Sequence, residues 1–263
     1  MQRRLRILFF SAFALQLLLP DAFSAIPPIS YVTPFPFVAG ERLSYQVTLD
    51  QMKIGKAIMK VIEKVQFEGK EVYHLSSEVK TSGFLSLFTR INDRVESYMD
   101  AEGLFSRRVE VRKERRMKTD EKVVTFDQIG HRAVQWKNNR EEVFEIPPRV
   151  QDSLSSLYYF RTQRFPEIGG ALFIDVHESG KNRKIEVRVL QQERVTTPAG
   201  TFDTIKVQTA LPKEGAFSGN GDLFIWFTND DRRMPVLLQS ESQRGTVTVA
   251  LEAQQRGEGS GSL

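Results

Sequence analysis

Apolar and polar residues alternate one for one over long stretches of this chain. Leu43, Tyr45, Val47 and Leu49 show the rhythm, as do Leu172, Ile174 and Val176, then Ile185, Val187 and Val189, and finally Val247, Val249 and Leu251. A period of two sends successive side chains to opposite faces of an extended backbone. Each run therefore reads as a strand with one dry face and one wet face. Less regular strand-like runs occupy 56–65, 71–80, 92–99, 104–112, 121–126, 132–136, 142–146, 202–210, 222–228 and 235–241. Turn-forming residues separate many of them, at Asp50 to Gly55, Phe67 to Lys70, Asp100 to Gly103, Ser179 to Asn182 and Pro198 to Gly200. The predicted fold class is mainly β: a large antiparallel meander curled into a barrel or half-barrel, with one or two short helices. Curling limits the number of exposed edges.

Two segments break the rhythm. In KTSGFLSLFTR (80–90), Phe84, Leu85, Leu87 and Phe88 sit at helical spacing after the potential cap Ser82. In PPRVQDSLSSLYYFRTQRF (147–165), Asp152 is a good N-cap, and Leu154, Leu157, Tyr158 and Arg161 share a face. Both are predicted to be helical.

The first 25 residues combine Arg3, Arg4 and Arg6 with an apolar run from Leu5 to Leu19, then Pro20 and the small residues Ala22, Ser24 and Ala25. A basic start, a short apolar middle and a small-residue end make a secretory signal peptide, and the run is short for a membrane span. The expected organisation is a signal peptide at 1–25, a proline-rich arm at 26–40, one antiparallel β domain at 41–253 and a flexible tail at 254–263. The expected location is the periplasm, with no transmembrane anchor once the signal is removed. There is no cysteine, which excludes disulfides, thiolate nucleophiles and thiolate metal sites. The formal charge of +4 falls by two when residues 1–25 leave with three arginines and Asp21. A nearly neutral chain is a poor partner for nucleic acid.

The pieces AGERLSYQV, IGKA, DSLSSLYYFR, TPAGTFDTIKV and WFTNDDRRMPV, taken in this order, resemble the DUF3108 family of exported bacterial proteins, over about 37 to 252. That resemblance implies export and a mostly antiparallel β architecture. The family has no assigned activity, so no catalytic residue carries over. The plan of a curved sheet with one or two helices is also similar to the half-barrels of periplasmic lipoprotein carriers, at the level of architecture only.

Enzymatic motifs are weak. His74, His131 and His177 stand apart, and only Asp175 lies two residues from His177, so no metal or other cofactor is expected. There is no G-x-S-x-G and no phosphate-cradling G-x-x-x-x-G-K-[ST]. The basic run RRVEVRKERRMKTDEK (107–122) could meet lipid phosphates or acidic polysaccharide, but it fits better as the wet face of adjacent strands.

The apolar residues suggest a different function. In DLFIWFT (222–228), Leu223, Ile225 and Phe227 face one side while Phe224 and Trp226 face the other, so both faces are apolar. Phe84, Leu85, Leu87, Phe88, Phe224 and Trp226 are the candidate ligand-binding residues, with the GFLSLF segment across the mouth of a barrel. The expected function is non-enzymatic binding of a lipid or other hydrophobic envelope component. An envelope scaffold with a filled barrel and a protein partner is the alternative, and a polymer hydrolase the remote one. WFTNDDRRMPV places Asp230, Asp231, Arg232, Arg233 and Pro235 together. Adjacent carboxylates on an extended chain point apart, so the stretch reads as a structural hairpin clamp in which an arginine pairs with an aspartate. On that reading Asp231→Asn lowers stability modestly.

Overall fold

The computed structural model describes residues 31–32, 34–82, 91–210, 221–242 and 245–257. The segment expected to be a signal peptide lies outside them. So does the helix expected over 80–90, apart from Lys80, Thr81 and Ser82; Lys80 and Thr81 end a strand.

Fourteen strands and one helix account for the described elements. The first eight strands form one meander: β1 (Arg42–Leu49), β2 (Met52–Phe67), β3 (Lys70–Thr81), β4 (Asn92–Asp100), β5 (Ser106–Arg115), β6 (Lys118–Asp127), β7 (Arg132–Lys137) and β8 (Arg140–Glu145). Helix α1 (Ser153–Thr162) follows. The second meander is β9 (Ala171–Glu178), β10 (Lys181–Thr197), β11 (Gly200–Ala210), β12 (Asp222–Thr228), β13 (Pro235–Ser242) and β14 (Gly245–Gln255). Strand β14 continues two residues past the boundary expected at 253.

All fourteen strands join one antiparallel sheet, in the order β8-β7-β6-β5-β4-β3-β2-β1-β14-β13-β12-β11-β10-β9. The meanders therefore meet where β1 pairs with β14, and the sheet is left open between β8 and β9. Several hairpins turn on two residues of positive φ: Asp50-Gln51, Glu68-Gly69, Asn138-Asn139 and Ser179-Gly180. Paired left-handed residues match the right-handed twist of the flanking strands, which favours short polar side chains and glycine there.

The open edges are bridged without strand pairing. The chain between β8 and α1 runs against β9, where Gln151 donates to the Asp175 carbonyl and accepts from the His177 amide, both at 2.8 Å. The Asn182 side chain donates to the Glu145 carbonyl at 2.7 Å, and the Phe144 ring packs 5.3 Å from the His177 ring. Gly180 has φ 69°, and a Cβ there would meet the Phe144 ring at 3.0 Å, so the seam needs glycine for its backbone and for its space.

Period-two alternation carries through to the core. One inward row crosses β2 to β5 as Met59, Ser77, Val95 and Val111, each directly opposite the next. Another crosses β11 to β14 as Val207, Ile225, Leu238 and Val249. Helix α1 lies across the inner face and buries Leu154, Tyr158, Phe160 and Arg161. The described part of the proline-rich arm is docked: Tyr31 bridges Gln163, and Phe37 stacks edge-on against Tyr73 and Tyr158 at 5.3 and 5.1 Å.

Candidate ligand-binding site

The two meanders and the first turns of α1 leave a cavity of about 140 Å³ between them. One wall is Val95, Val109, Val111 and Val124 from β4, β5 and β6. The opposite wall is Ile174, Val176, Val187, Ile225 and Leu238 from β9, β10, β12 and β13. Leu154, Leu157 and Phe160 of α1 close it on the third side. The cavity reaches the rim at which β9 turns into β10 and β11 ends, where Ser179 and the exposed Ala210 line it.

Its position follows from how α1 is held. Asp152 caps the helix, its Oδ1 accepting from the Leu154 and Ser155 amides at 2.8 and 3.0 Å. Its Oδ2 accepts from the hydroxyls of Ser97 and Ser106, both at 2.6 Å and both wholly buried. An aspartate at this position satisfies orphan helix amides and favours the positive end of the helix dipole. Here it also fixes the helix start to β4 and β5. At the other end, Arg161 pairs with Glu41, and Arg233 donates to the carbonyls of Arg161 (3.3 Å) and Gln163. With both ends pinned, the gap beneath the first turns is left unfilled.

The cavity wall also holds four ionisable side chains: Lys122, Asp152, His177 and Glu178. Each is engaged by the protein itself. Glu178 accepts from the Ser153 hydroxyl at 2.6 Å, His177 Nδ1 lies 2.7 Å from Asn182 Oδ1, and Lys122 also has a partner. The described residues contain no cluster of three His, Cys, Asp or Glu fit to hold a metal ion. His74 stacks on Tyr98 at 4.6 Å beside Glu96, and His131 sits exposed in a turn.

The residues singled out from sequence fall in three places. Phe84, Leu85, Leu87 and Phe88 are outside the described residues. Phe224 and Trp226 do not line the cavity, because β12 presents Leu223, Ile225 and Phe227 to it instead. Trp226 is nonetheless only 5% exposed: its indole N–H donates to Glu193 at 2.7 Å and its ring lies 4.6 Å from the Lys206 ammonium, which also sits over Phe224 at 5.0 Å. The hydrogen bond from Trp226 holds the Glu193 carboxyl below its usual range.

The third group is the stretch 230–235. Asp230 Oδ1 accepts from the Thr228 hydroxyl and the amides of Arg232 and Arg233, at 2.6, 3.0 and 3.1 Å. The expected pairing of an arginine with an aspartate is replaced by longer reaches, from Arg232 to Gln254 and from Arg233 to the end of α1. Pro235 opens β13, where no ladder amide is lost, and its carbonyl accepts from Tyr45 at 2.8 Å. The basic run on β5 and β6 is laced with ion pairs, including Arg108–Glu110, Arg112–Glu121 and Lys118–Asp120 at 2.8, 3.2 and 2.7 Å. The contributions from β4 to β6 and from the start of α1 went unnoticed in the sequence. Only the alternation of Val109, Val111 and Val124 could have pointed to them.

Comparison with known proteins places this geometry. A β-barrel-like protein of domain of unknown function DUF1849 from Brucella abortus has a similar fold, with a TM-score of 0.54 at 10% identity, over 84% of this chain and 99% of that one. A candidate exported protein with a YmcC-like fold from Bacteroides fragilis is 15% identical over 84% and 98% of the two chains, with a TM-score of 0.32. A candidate lipoprotein from Parabacteroides distasonis is 13% identical over the same shares, with a TM-score of 0.31. No curated protein matches the chain. The family model for DUF3108, a protein of unknown function, matches residues 44–252, from β1 to β14, and the chain belongs to that family.

Proposed function

We propose that this is an exported, periplasmic, non-enzymatic protein that binds a small hydrophobic or amphiphilic component of the cell envelope. The carrying observation is the apolar cavity of about 140 Å³, which the inner face and α1 leave open at one rim. An apolar cavity of about 150 Å³ is large enough to admit benzene. The site therefore suits a ring or the end of an alkyl chain, with the rest of the ligand leaving through the rim. Each buried methylene would contribute about 0.8 kcal/mol. The ionisable groups on the wall are engaged with protein partners, which suits holding a ligand better than transforming one. The signal-like residues 1–25 support export.

The test is titration of the purified protein with N-phenylnaphthylamine, an uncharged fluorescent probe, alongside native mass spectrometry of protein isolated from the periplasm. Saturable one-to-one binding is expected, weakened by Ile225→Phe, which fills the cavity. No saturable binding and no co-purifying amphiphile would sink the proposal.

A further inference from the structure

The basic run on β5 and β6 divides between the two faces of the sheet. On the outer face Arg108 pairs with Glu110 at 2.8 Å, and Arg112 with Glu114 and Glu121 at 2.8 and 3.2 Å. On the inner face Val111, Lys122 and Gln135 line the cavity from β5, β6 and β7. The ladders joining these strands run without a bulge, so the next residues toward the rim on that face are Lys113, Asp120 and Lys137. At ~3.3 Å per residue, the inner face of β5 thus passes from valine to lysine within about 7 Å of the cavity wall.

Positive charge at this lip exceeds what the nearby carboxylates take up. Asp93 accepts from Arg115 at 2.9 Å, and Asp120 is bonded by Lys118 at 2.7 Å. That bond, with Lys137 and Lys113 acting from farther off, holds the Asp120 carboxyl below its usual range. Lys113 stands directly opposite Asp120 on the ladder and Lys137 opposite Lys122, yet neither Lys113 nor Lys137 has a carboxylate of its own among the described residues. Across the cavity, Glu178 is engaged by Ser153 and lies 4.0 Å from the Arg183 guanidinium. A cleft lined by one sign of charge concentrates ions of the other, and a lysine ammonium binds phosphate or carboxylate as a point charge.

We infer that the cavity takes an anionic amphiphile, its alkyl end among the valines and its phosphate or carboxylate head at Lys113 and Lys137. This rests on the binding function proposed above and adds a head-group charge, which can fail while binding itself stands.

Decyl phosphate, decanol and decylamine share one alkyl chain, and each is used to displace N-phenylnaphthylamine from the purified protein at neutral pH. Decyl phosphate should compete at about three- to tenfold lower concentration than decanol, the effect of one or two exposed charge pairs, and decylamine should be the weakest. High salt should erase the advantage of decyl phosphate while leaving decanol unaffected. The double variant Lys113→Gln with Lys137→Gln should make decyl phosphate and decanol equal without changing the affinity for the probe, and Lys137→Glu should shift the preference toward decylamine. Inorganic phosphate alone should displace no probe, because the alkyl end supplies the anchoring. Decyl phosphate competing no better than decanol, its advantage surviving in the double variant, or displacement by inorganic phosphate would overturn the inference while leaving the binding function standing. A probe that fails to bind the wild-type protein removes both.

Discussion

Arg161 and Glu41, 120 residues apart, meet in two hydrogen bonds of 2.7 and 2.9 Å, with both side chains sealed from solvent. The same guanidinium donates to the carbonyls of Pro36 and Arg232, at 3.1 and 3.0 Å, and lies 5.4 and 5.2 Å from the rings of Phe37 and Tyr158. One side chain thus ties together the N-terminal arm, the start of β1, helix α1 and the β12–β13 turn. Burial alone would lower the pKa of Arg161; the Glu41 carboxylate more than offsets this and the net direction is upward. Removing one partner strands a charge in the core, so Glu41→Leu and Arg161→Met should each cost about 3–5 kcal/mol. Replacing both with apolar residues, as Glu41→Leu with Arg161→Met, should cost clearly less than the sum of the two. Urea unfolding of the four proteins reads the cycle.

The β12–β13 turn concentrates its bonding on one of two adjacent aspartates. Asp230 accepts from three donors, whereas Asp231 is exposed. Asp230→Ala should therefore lower stability by about 1–2 kcal/mol, the usual effect of losing a capping side chain. Asp231→Asn should stay within about 0.5 kcal/mol of wild type. Thermal melts of the two variants separate them, and equal losses would contradict the assignment.

The difference between these aspartates shows what was legible beforehand. Turn chemistry is local, so Asn229-Asp230-Asp231 could be recognised as a turn. Which carboxylate would cap it depends on the backbone path, and that Arg233 would reach the end of α1 depends on packing across 70 residues. The strands were legible because their inward and outward positions alternate, and Asp152 because a helix start needs a side-chain acceptor. The pairing of β1 with β14 was not: strict alternation marks a face without marking a neighbour. The same limit misplaced Phe224 and Trp226, since two apolar faces on β12 do not say which one is concave.

Asp152 couples helix and sheet, which sets it apart from an ordinary N-cap. Asp152→Ala removes the acceptor for two helix amides and also leaves the buried hydroxyls of Ser97 and Ser106 unpaired. The expected loss is therefore larger than the ~1 kcal/mol of a typical cap, on the order of 3 kcal/mol. Adding Ser97→Ala and Ser106→Ala to Asp152→Ala should recover part of it, because no buried hydroxyl is then stranded. Guanidinium unfolding of the single and triple variants measures the difference, and a triple variant weaker than the single one would rule out this coupling.

Two tyrosines beside the Arg161–Glu41 pair set the alkaline limit. Burial raises the pKa of both Tyr45 and Tyr158 well above the ordinary 10.0, and for Tyr158 the Glu41 carboxylate pushes the same way. A phenol whose pKa is raised by folding releases its proton more readily when unfolded. Its contribution to stability is thus complete below pH 10 and is lost as pH rises through the folded-state value. Stability should be flat from neutral pH to about pH 10 on this account and decline beyond it, with tyrosinate absorbance appearing together with unfolding. The two hydroxyls differ in what they bond. Tyr45 donates to the Pro235 carbonyl at 2.8 Å, whereas the Tyr158 hydroxyl is buried without a partner among the described residues. Tyr45→Phe should therefore cost about 1 kcal/mol at neutral pH, while Tyr158→Phe should leave stability unchanged or raise it by up to about 1 kcal/mol. Both variants should soften the alkaline decline. If Tyr158→Phe destabilises at neutral pH as much as Tyr45→Phe does, the Tyr158 hydroxyl is bonded in solution.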